Sequence, residues 1–374
     1  MKIGIDIRCL AESQYSGISE YTYNLVDHLL KIDSKNQYFL FYNSAKKTNI
    51  PKFDYSNVTY KKYSYPNKLF NLGIRFLKFT SVDKLAGDVD IFLTPSFLFT
   101  NISNRCKKIL IVHDLSFDIY PEFFTFKKRL WHKLINPKKM CQQSDLIIAI
   151  SENTKNDIVK MYEVNDNKIK VVYPGISQIF FNIVSEEEKQ KILDKYNLPK
   201  NYALYLGNLE PRKNVSSLIK SFDLLKNDSL NLVIVGGEGW KYKKIYKVWQ
   251  NTKNNKKIKF LGYIESKDKP AIYSLAKMFI YPSNYEGFGL PPIEAMACGT
   301  PVIASANSSL IEAINNAGLL IDSNNINDIA QAINYILTDQ NLEIKLTELG
   351  ISRAKKFNWQ QKAEEILNII KSCA

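Results

Sequence analysis

A chain of 374 residues, 45% of them hydrophobic, is long enough for two ordinary domains that each bury a core. Its formal net charge of +14 leans toward the front, where residues 1–180 carry 26 Lys plus Arg against 17 Asp plus Glu. Five cysteines (Cys9, Cys106, Cys141, Cys298, Cys373) are odd in number and lack C-x-x-C spacing, which argues for reduced thiols and against a disulfide frame or zinc site. No run approaches the ~20 apolar residues of a membrane span. The first residues read as a strand carrying Asp6 rather than as a signal peptide, so a cytoplasmic protein is expected.

Strand and helix patterns alternate from end to end, which predicts an α/β protein with parallel sheets covered by helices on both faces. In the first half, strands are expected at 2–7, 37–42, 90–94, 108–113, 145–150 and 170–173. Helices fall near 18–32, 68–84, 126–141 and 151–162. Pro174-Gly175 closes this half, and a mixed region to about 198 leads into the second. There strands are expected at 202–206, 231–235, 258–261, 278–281, 301–305 and 318–321, with helices between them. After a helix at about 340–356, the last helix shows one apolar face of Trp359, Ala363, Ile366, Leu367 and Ile370.

Several motifs lie at strand ends, where α/β proteins place ligands. His113-Asp114 follows the apolar strand Ile109-Leu110-Ile111-Val112, and His113 is either a core histidine or a ligand contact. After the strand Tyr202–Leu206 comes Gly207-Asn208-Leu209-Glu210-Pro211-Arg212-Lys213-Asn214, then a helical pattern with Asn214 as its expected N-cap. Arg212 can fork two phosphate oxygens and Lys213 adds a compact charge, so the pair reads as a phosphate clamp whose cations are solvated until a ligand arrives. The plainer alternative is two surface cations. Gly236-Gly237-Glu238-Gly239 lacks full G-x-G-x-x-G spacing, so NAD binding is poorly supported. Asp88-Val89-Asp90 precedes its strand instead of following one, which speaks against a metal site.

The stretch Glu286-Gly-Phe-Gly-Leu-Pro-Pro-Ile-Glu294 is the most informative in the chain. Two carboxylates stand eight positions apart, separated by two glycines and a Pro-Pro pair suited to opening a helix. The amides of Gly289 and Leu290 then face outward from the positive helix end, a ready anion site. A carboxylate-bearing turn that merely complements the dipole would look similar. Taken with Arg212 and Lys213, the pattern favours a nucleotide-sugar site.

Together these motifs resemble glycosyltransferase family 4, retaining enzymes of the GT-B fold. The resemblance runs from SGISEYTYNL near the front through DVDIFLTPS, ILIVHDLSFDIYPEFF, DLIIAISENTKNDIVKMY and IKVVYPGIS. It continues with LGNLEPRKN, LVIVGGEGW, FLGY, YEGFGLPPIEAMACGTPV and SSLIEAINNAGLLID. The chain departs from the pattern at Phe92 and Leu93, where many relatives carry a histidine. The resemblance implies two Rossmann-like domains facing across a cleft. Residues 1–176 would form the acceptor domain, with 358–374 packing back on it, and 177–357 the donor domain. It assigns catalysis to Arg212, Lys213, Glu286 and His113. Donor binding falls to Gly17 before the first helix, Gly207, Gly237, Tyr263 beside the base, Gly287, Phe288, Gly289, Leu290 and Glu294. Glu286 would bond sugar hydroxyls and Glu294 the ribose. No cofactor and no metal are expected.

The wording LEPRKN and GGEGW looks closest to mannosyl- and related transferases of surface polysaccharide assembly, which favours GDP-mannose as donor over a UDP-sugar. The acceptor would be a glycan or lipid-linked glycan. From other classes, a nucleotide-sugar epimerase would need acid and base groups that no motif here supplies. A non-catalytic sugar-nucleotide-binding subunit would not need all four of Arg212, Lys213, Glu286 and Glu294. The basic excess interleaves with aromatics in two segments, Lys61-Lys62-Tyr63-Ser64-Tyr65 through Lys68, Phe70, Arg75, Phe76, Lys78 and Phe79, and Phe123-Phe124 through Lys139. No nucleic-acid module accompanies them. Peripheral contact with an anionic membrane surface is one expectation, and a merely Lys-rich composition is the other.

Overall fold

The computed structural model describes residues 1–11, 16–74, 81–227 and 229–373. The chain divides into two compact units, one comprising Met1–Leu115, Phe126–Gly175 and Trp359–Ala374, the other Ser116–Thr125 and Ile176–Asn358. The segment Ser116–Thr125, expected within a continuous first domain, thus groups with the second unit.

The first unit is built on seven strands: β1 (Lys2–Asp6), β2 (Gln37–Asn43), β3 (Val58–Tyr63), β4 (Ile91–Thr94), β5 (Lys107–Val112), β6 (Leu146–Ala149) and β7 (Ile169–Val171). They pair in the order β3-β2-β1-β4-β5-β6-β7, and every pairing is parallel. Strands such as Ile91–Thr94 are buried along their whole length, as sheets covered on both faces require. Helix α1 (Gly17–Ile32) starts on Ser16, whose hydroxyl accepts from the Ser19 amide, and Gly17 is its first residue rather than the residue before it. Three readings of this half need correction. β3 was not expected, because its lysines and tyrosines read as a basic patch; it is the edge strand, and edges tolerate charge. Residues 68–84 are not one helix: Asn67–Leu72 and Val82–Leu85 are separate helices, and Arg75, Phe76, Lys78 and Phe79 lie outside the described residues. The helix expected at 126–141 is two, α2 (Phe126–Ile135) and α3 (Pro137–Gln143). Pro137 disfavours the helical region for its predecessor, and Asn136 sits instead at φ 60° with its side chain capping Lys139 N.

The second unit carries β8 (Tyr202–Leu206), β9 (Asn231–Val235), β10 (Ile258–Gly262), β11 (Met278–Tyr281), β12 (Val302–Ser305) and β13 (Leu319–Ile321). Their order is β10-β9-β8-β11-β12-β13, again with parallel pairing throughout. In each sheet the order reverses beside the first strand, between β1 and β4 and between β8 and β11. Helices α4 (Val215–Phe222) and α5 (Leu290–Ala297) leave the carboxyl ends of β8 and β11, on the two sides of the second reversal.

The terminal helix α6 (Trp359–Cys373) returns to the first unit and packs on α1. Its expected face, Trp359, Ala363, Ile366, Leu367 and Ile370, is buried. Trp359 meets Tyr21 edge-on at 5.1 Å and stacks near His28 at 6.1 Å.

Candidate active site

Strand order explains why distant motifs meet. β8 and β11 are neighbours, so the turns leaving their carboxyl ends share one crevice at the point of reversal. One turn carries Arg212 and Lys213, the other Glu286. The Asn284 amide donates to Arg212 O at 2.8 Å, and Arg212 Nη1 donates to Tyr285 O at 2.7 Å, which ties the two turns together. Glu286 is clamped by its backbone as well: its amide donates to Ser308 Oγ at 3.0 Å and its carbonyl accepts from Ser309 Oγ at 2.8 Å.

The side chains form a closed electrostatic cluster. Lys213 Nζ donates to Glu286 Oε1 at 2.6 Å and to Tyr281 Oη at 2.5 Å. Arg212 Nη1 reaches Glu286 Oε2 at 2.9 Å, while its Nε and Nη2 lie 3.1 and 3.0 Å from Glu210 Oε1. Two cations thus face two carboxylates, and all four are shielded from water, Lys213 being only 8% exposed. The clamp was expected to be solvated when empty; it is neutralised internally instead. Burial alone would raise the Glu286 pKa, but Arg212 and Lys213 outweigh it and hold the carboxyl at about 2. Lys213 moves the other way from a simple ion pair: burial, then the like charge of Arg212, lower its pKa despite Glu286. The two directions agree physically, since Glu286 faces two cations whereas Lys213 must share its anion with Arg212. Burial keeps the Tyr281 phenol protonated far above its ordinary range.

Gly289 caps α5 at φ 104°, and a β-carbon there would lie 2.6 Å from Leu310 Cδ2. Pro291 and Pro292 occupy the first turn, where missing N–H groups cost nothing. Leu290 is the first helical residue, so its amide and that of Gly289 belong to the positive end of the helix. Gly287 is buried in the same turn, and the Phe288 ring packs inward, edge-on to Phe357 at 5.2 Å. Phe288 therefore holds the turn against the core. Glu294, in the second turn of α5, is buried and accepts from Tyr273 Oη at 2.9 Å.

The neighbouring turns are stitched by backbone hydrogen bonds. Gly207 N donates to Val235 O at 2.9 Å, Leu209 N to Gly237 O at 2.9 Å, and Gly236 N to Gly262 O at 2.8 Å. Gly236, to which the sequence assigned no role of its own, is the tightest point: at φ 145° its β-carbon would fall 2.0 Å from Gly207 O. Gly237 has room, with its nearest neighbour at 3.8 Å. Tyr263 follows β10 and is 62% exposed. Asn214 occupies the N-cap position of α4 without a capping bond to the backbone. It sits at φ 51°, donates to Ser323 O at 2.7 Å and accepts from Ser217 Oγ at 2.8 Å.

His113 and Gly17 belong to the first unit. His113 Nε2 lies 2.8 Å from Pro95 O, and a carbonyl can only accept, so Nε2 carries the proton. Burial lowers the His113 pKa, which keeps the ring neutral near pH 7 and leaves Nδ1 as an acceptor. Its ring meets Tyr21 edge-on at 4.8 Å. Gly17 is exposed, and no atom lies within 4 Å of where its β-carbon would stand. Asp90, from the tripeptide set aside above, accepts from the Lys2 amide at 2.8 Å, at the entry to β1 and β4. Sequence reasoning missed Glu210, Tyr281, Ser308 and Ser309. Glu210 was legible as a carboxylate two residues before Arg212; the serines are 22 and 23 residues from Glu286 and carry no local signal.

Comparison with known proteins gives this geometry a family. Residues 185–356 match the glycosyl transferases group 1 family and residues 15–178 match glycosyltransferase family 4. The chain is 30% identical over 285 residues to O-antigen chain mannosyltransferase B of Escherichia coli, covering 75% of this chain and 74% of that protein. It is 31% identical over 227 residues to O-antigen chain mannosyltransferase RfbU of Salmonella typhimurium, 61% of this chain and 60% of the relative. A 27% identical match to the serotype-specific mannosyltransferase WbdA of Escherichia coli spans 69% of this chain but 32% of that longer protein. Among solved structures, sucrose-phosphate synthase from Thermosynechococcus elongatus aligns with a TM-score of 0.78 at 21% identity, over 99% of this chain and 98% of that one. Anabaena Alr3699/HepE in complex with UDP and glucose aligns at 0.75 and 19% identity over 100% of both chains. At these identities the likeness carries the fold alone. With two Rossmann-like sheets and these relatives, the chain belongs to glycosyltransferase family 4 and is a hexosyltransferase of the GT-B fold.

Proposed function

We propose that the protein is a retaining glycosyltransferase that moves a mannosyl unit from GDP-mannose to a glycan or lipid-linked glycan in cell-surface polysaccharide assembly. It would work in the cytoplasm, peripherally at the inner face of the cell membrane. The observation that carries the reading is the buried cluster of Arg212, Lys213 and Glu286 at the point of strand reversal. The relatives named as mannosyltransferases support the choice of sugar and base.

Departure of a nucleoside diphosphate builds negative charge on its terminal phosphate. Arg212, Lys213 and the amides at the start of α5 are positioned to stabilise that charge, in place of a metal. A phosphate that takes over the two cations releases both Glu286 oxygens, which then accept hydrogen bonds from sugar hydroxyls. The bond from acceptor oxygen to the anomeric carbon forms on the face from which the phosphate leaves, and the phosphate takes the acceptor's proton. Configuration is retained without a covalent enzyme intermediate. Glu294 receives the ribose hydroxyls once Tyr273 yields it, and His113 Nδ1 accepts from a sugar or acceptor hydroxyl.

Screening the purified protein against GDP-mannose and a panel of UDP-sugars, by thermal shift and by donor hydrolysis, tests this. GDP-mannose should stabilise the fold most and be hydrolysed fastest. A response to a UDP-sugar without one to GDP-mannose overturns the donor, and stabilisation without hydrolysis of any donor points to a binding subunit.

A further inference from the structure

Helix α2 (Phe126–Ile135) is anomalous for a folded domain. Of its ten residues only Ile135 is buried and His132 partly so; the other eight are exposed. Phe126 is 79% exposed, Leu130 46% and Leu134 41%, and their i, i+4, i+8 spacing lines them into one stripe along the helix. Trp131, 40% exposed, extends that stripe toward the buried side. At 100° per residue, Lys127 flanks the stripe on one side and Arg129 and Lys133 flank it on the other, all three exposed. A ten-residue helix is marginal in water without a packed face, and here the apolar face is the one turned to solvent.

We propose that α2 is the element by which this protein docks on an anionic lipid surface. Charge complementarity selects that occupant: an apolar stripe seats among acyl chains while cations on both shoulders reach the lipid phosphates. The expectation from sequence spread the contact over two segments; the proposal commits to α2, since Lys61 and Lys62 belong to the edge strand β3 and Arg75, Phe76, Lys78 and Phe79 lie outside the described residues. This inference rests on the membrane-surface part of the proposed function, and is independent of which nucleotide sugar the enzyme uses.

The test is co-sedimentation of the full chain with vesicles of phosphatidylcholine alone or mixed with phosphatidylglycerol, over a salt series. The wild type should bind the mixed vesicles, fail to bind phosphatidylcholine alone, and come off as salt rises. Lys127→Gln/Arg129→Gln/Lys133→Gln should weaken partitioning by about 5-fold per cation removed. Phe126→Ser/Leu130→Ser should weaken it by ~10-fold or more. Both variants should keep the wild-type melting temperature and donor hydrolysis in solution, which separates a docking defect from failure of the glycosyltransferase reading. The proposal is overturned if wild type stays in the supernatant at low salt, or if either variant binds as wild type does. It is equally overturned if light scattering shows a wild-type dimer that Phe126→Ser/Leu130→Ser dissociates, since the stripe then seats a second copy.

Discussion

Lys213 Nζ lies 2.6 Å from Glu286 Oε1 although the two residues are 73 positions apart. Their contact is the product of strand order: β8 and β11 become neighbours only because the chain leaves β8 for β9 and β10 and then returns to the other side. In the proposed reaction the donor's phosphate would replace Glu286 as the partner of both cations.

Replacing Arg212 or Lys213 by Ala should lower turnover by ~10²–10³, the usual loss when one charge-stabilising donor is removed. Because Lys213 is buried, Arg212 is partly buried and both are paired, the substitutions should also cost the fold ~3 kcal/mol by stranding part of Glu286. Turnover at saturating donor and thermal unfolding measure the two effects. A variant that keeps more than about half of wild-type turnover sinks the clamp.

Acid should weaken this cluster in a defined window. The Glu286 carboxyl is held at about 2, below an unfolded value of ~4.3, so its stabilising effect is complete above the unfolded value and lost as pH falls toward the folded one. Urea unfolding of wild type and Glu286→Gln from pH 6 downward should show a stability difference that is constant to ~5 and then shrinks. A difference that does not change with pH would show that Glu286 is not ionised against the cations.

The alkaline side reports Lys213. Its lowered pKa means the charge is lost before an ordinary lysine's would be, so donor turnover should decline below pH ~10.4 as the clamp neutralises. Lys213→Arg cannot deprotonate in that range and should shift this limb upward. Identical alkaline limbs in the two proteins would remove Lys213 from the profile.

Two adjacent glycines should respond in opposite ways. Gly236→Ala forces a β-carbon against Gly207 O at a φ of 145°, and should cost ~3 kcal/mol or more while disrupting the turns that meet there. Gly237→Ala meets no atom closer than 3.8 Å and should fold normally. Comparing melting temperatures decides it; equal stability of the two variants would contradict the packing described for Gly236.

Turnover should persist in excess chelator, because two cations and the start of α5 already supply positive charge at the proposed diphosphate position. Loss of activity on chelation that magnesium or manganese restores would show that this charge is insufficient.

The sequence by itself determined what is local: strand and helix alternation, the helix opened by Pro291-Pro292, and the apolar face of the terminal helix, since each is written in spacing that a single element enforces. It also marked Arg212, Lys213 and Glu286 as residues of one chemistry. Tertiary structure decided what that chemistry faces. Whether the cations are solvated depends on a carboxylate delivered from a distant strand, on the Tyr281 hydroxyl at the end of β11, and on Ser308 and Ser309 holding the Glu286 backbone. Edge strand β3 was hidden because the adjacent Lys61 and Lys62 break any apolar alternation, and its pairing has meaning only beside β2. Similarly, the exposure of Phe126 and Leu130 is a property of what fails to pack on α2, which no periodicity reports. Pairing across a sheet and the exposure of a helix face are relations between elements, and so they are fixed only when the chain has folded.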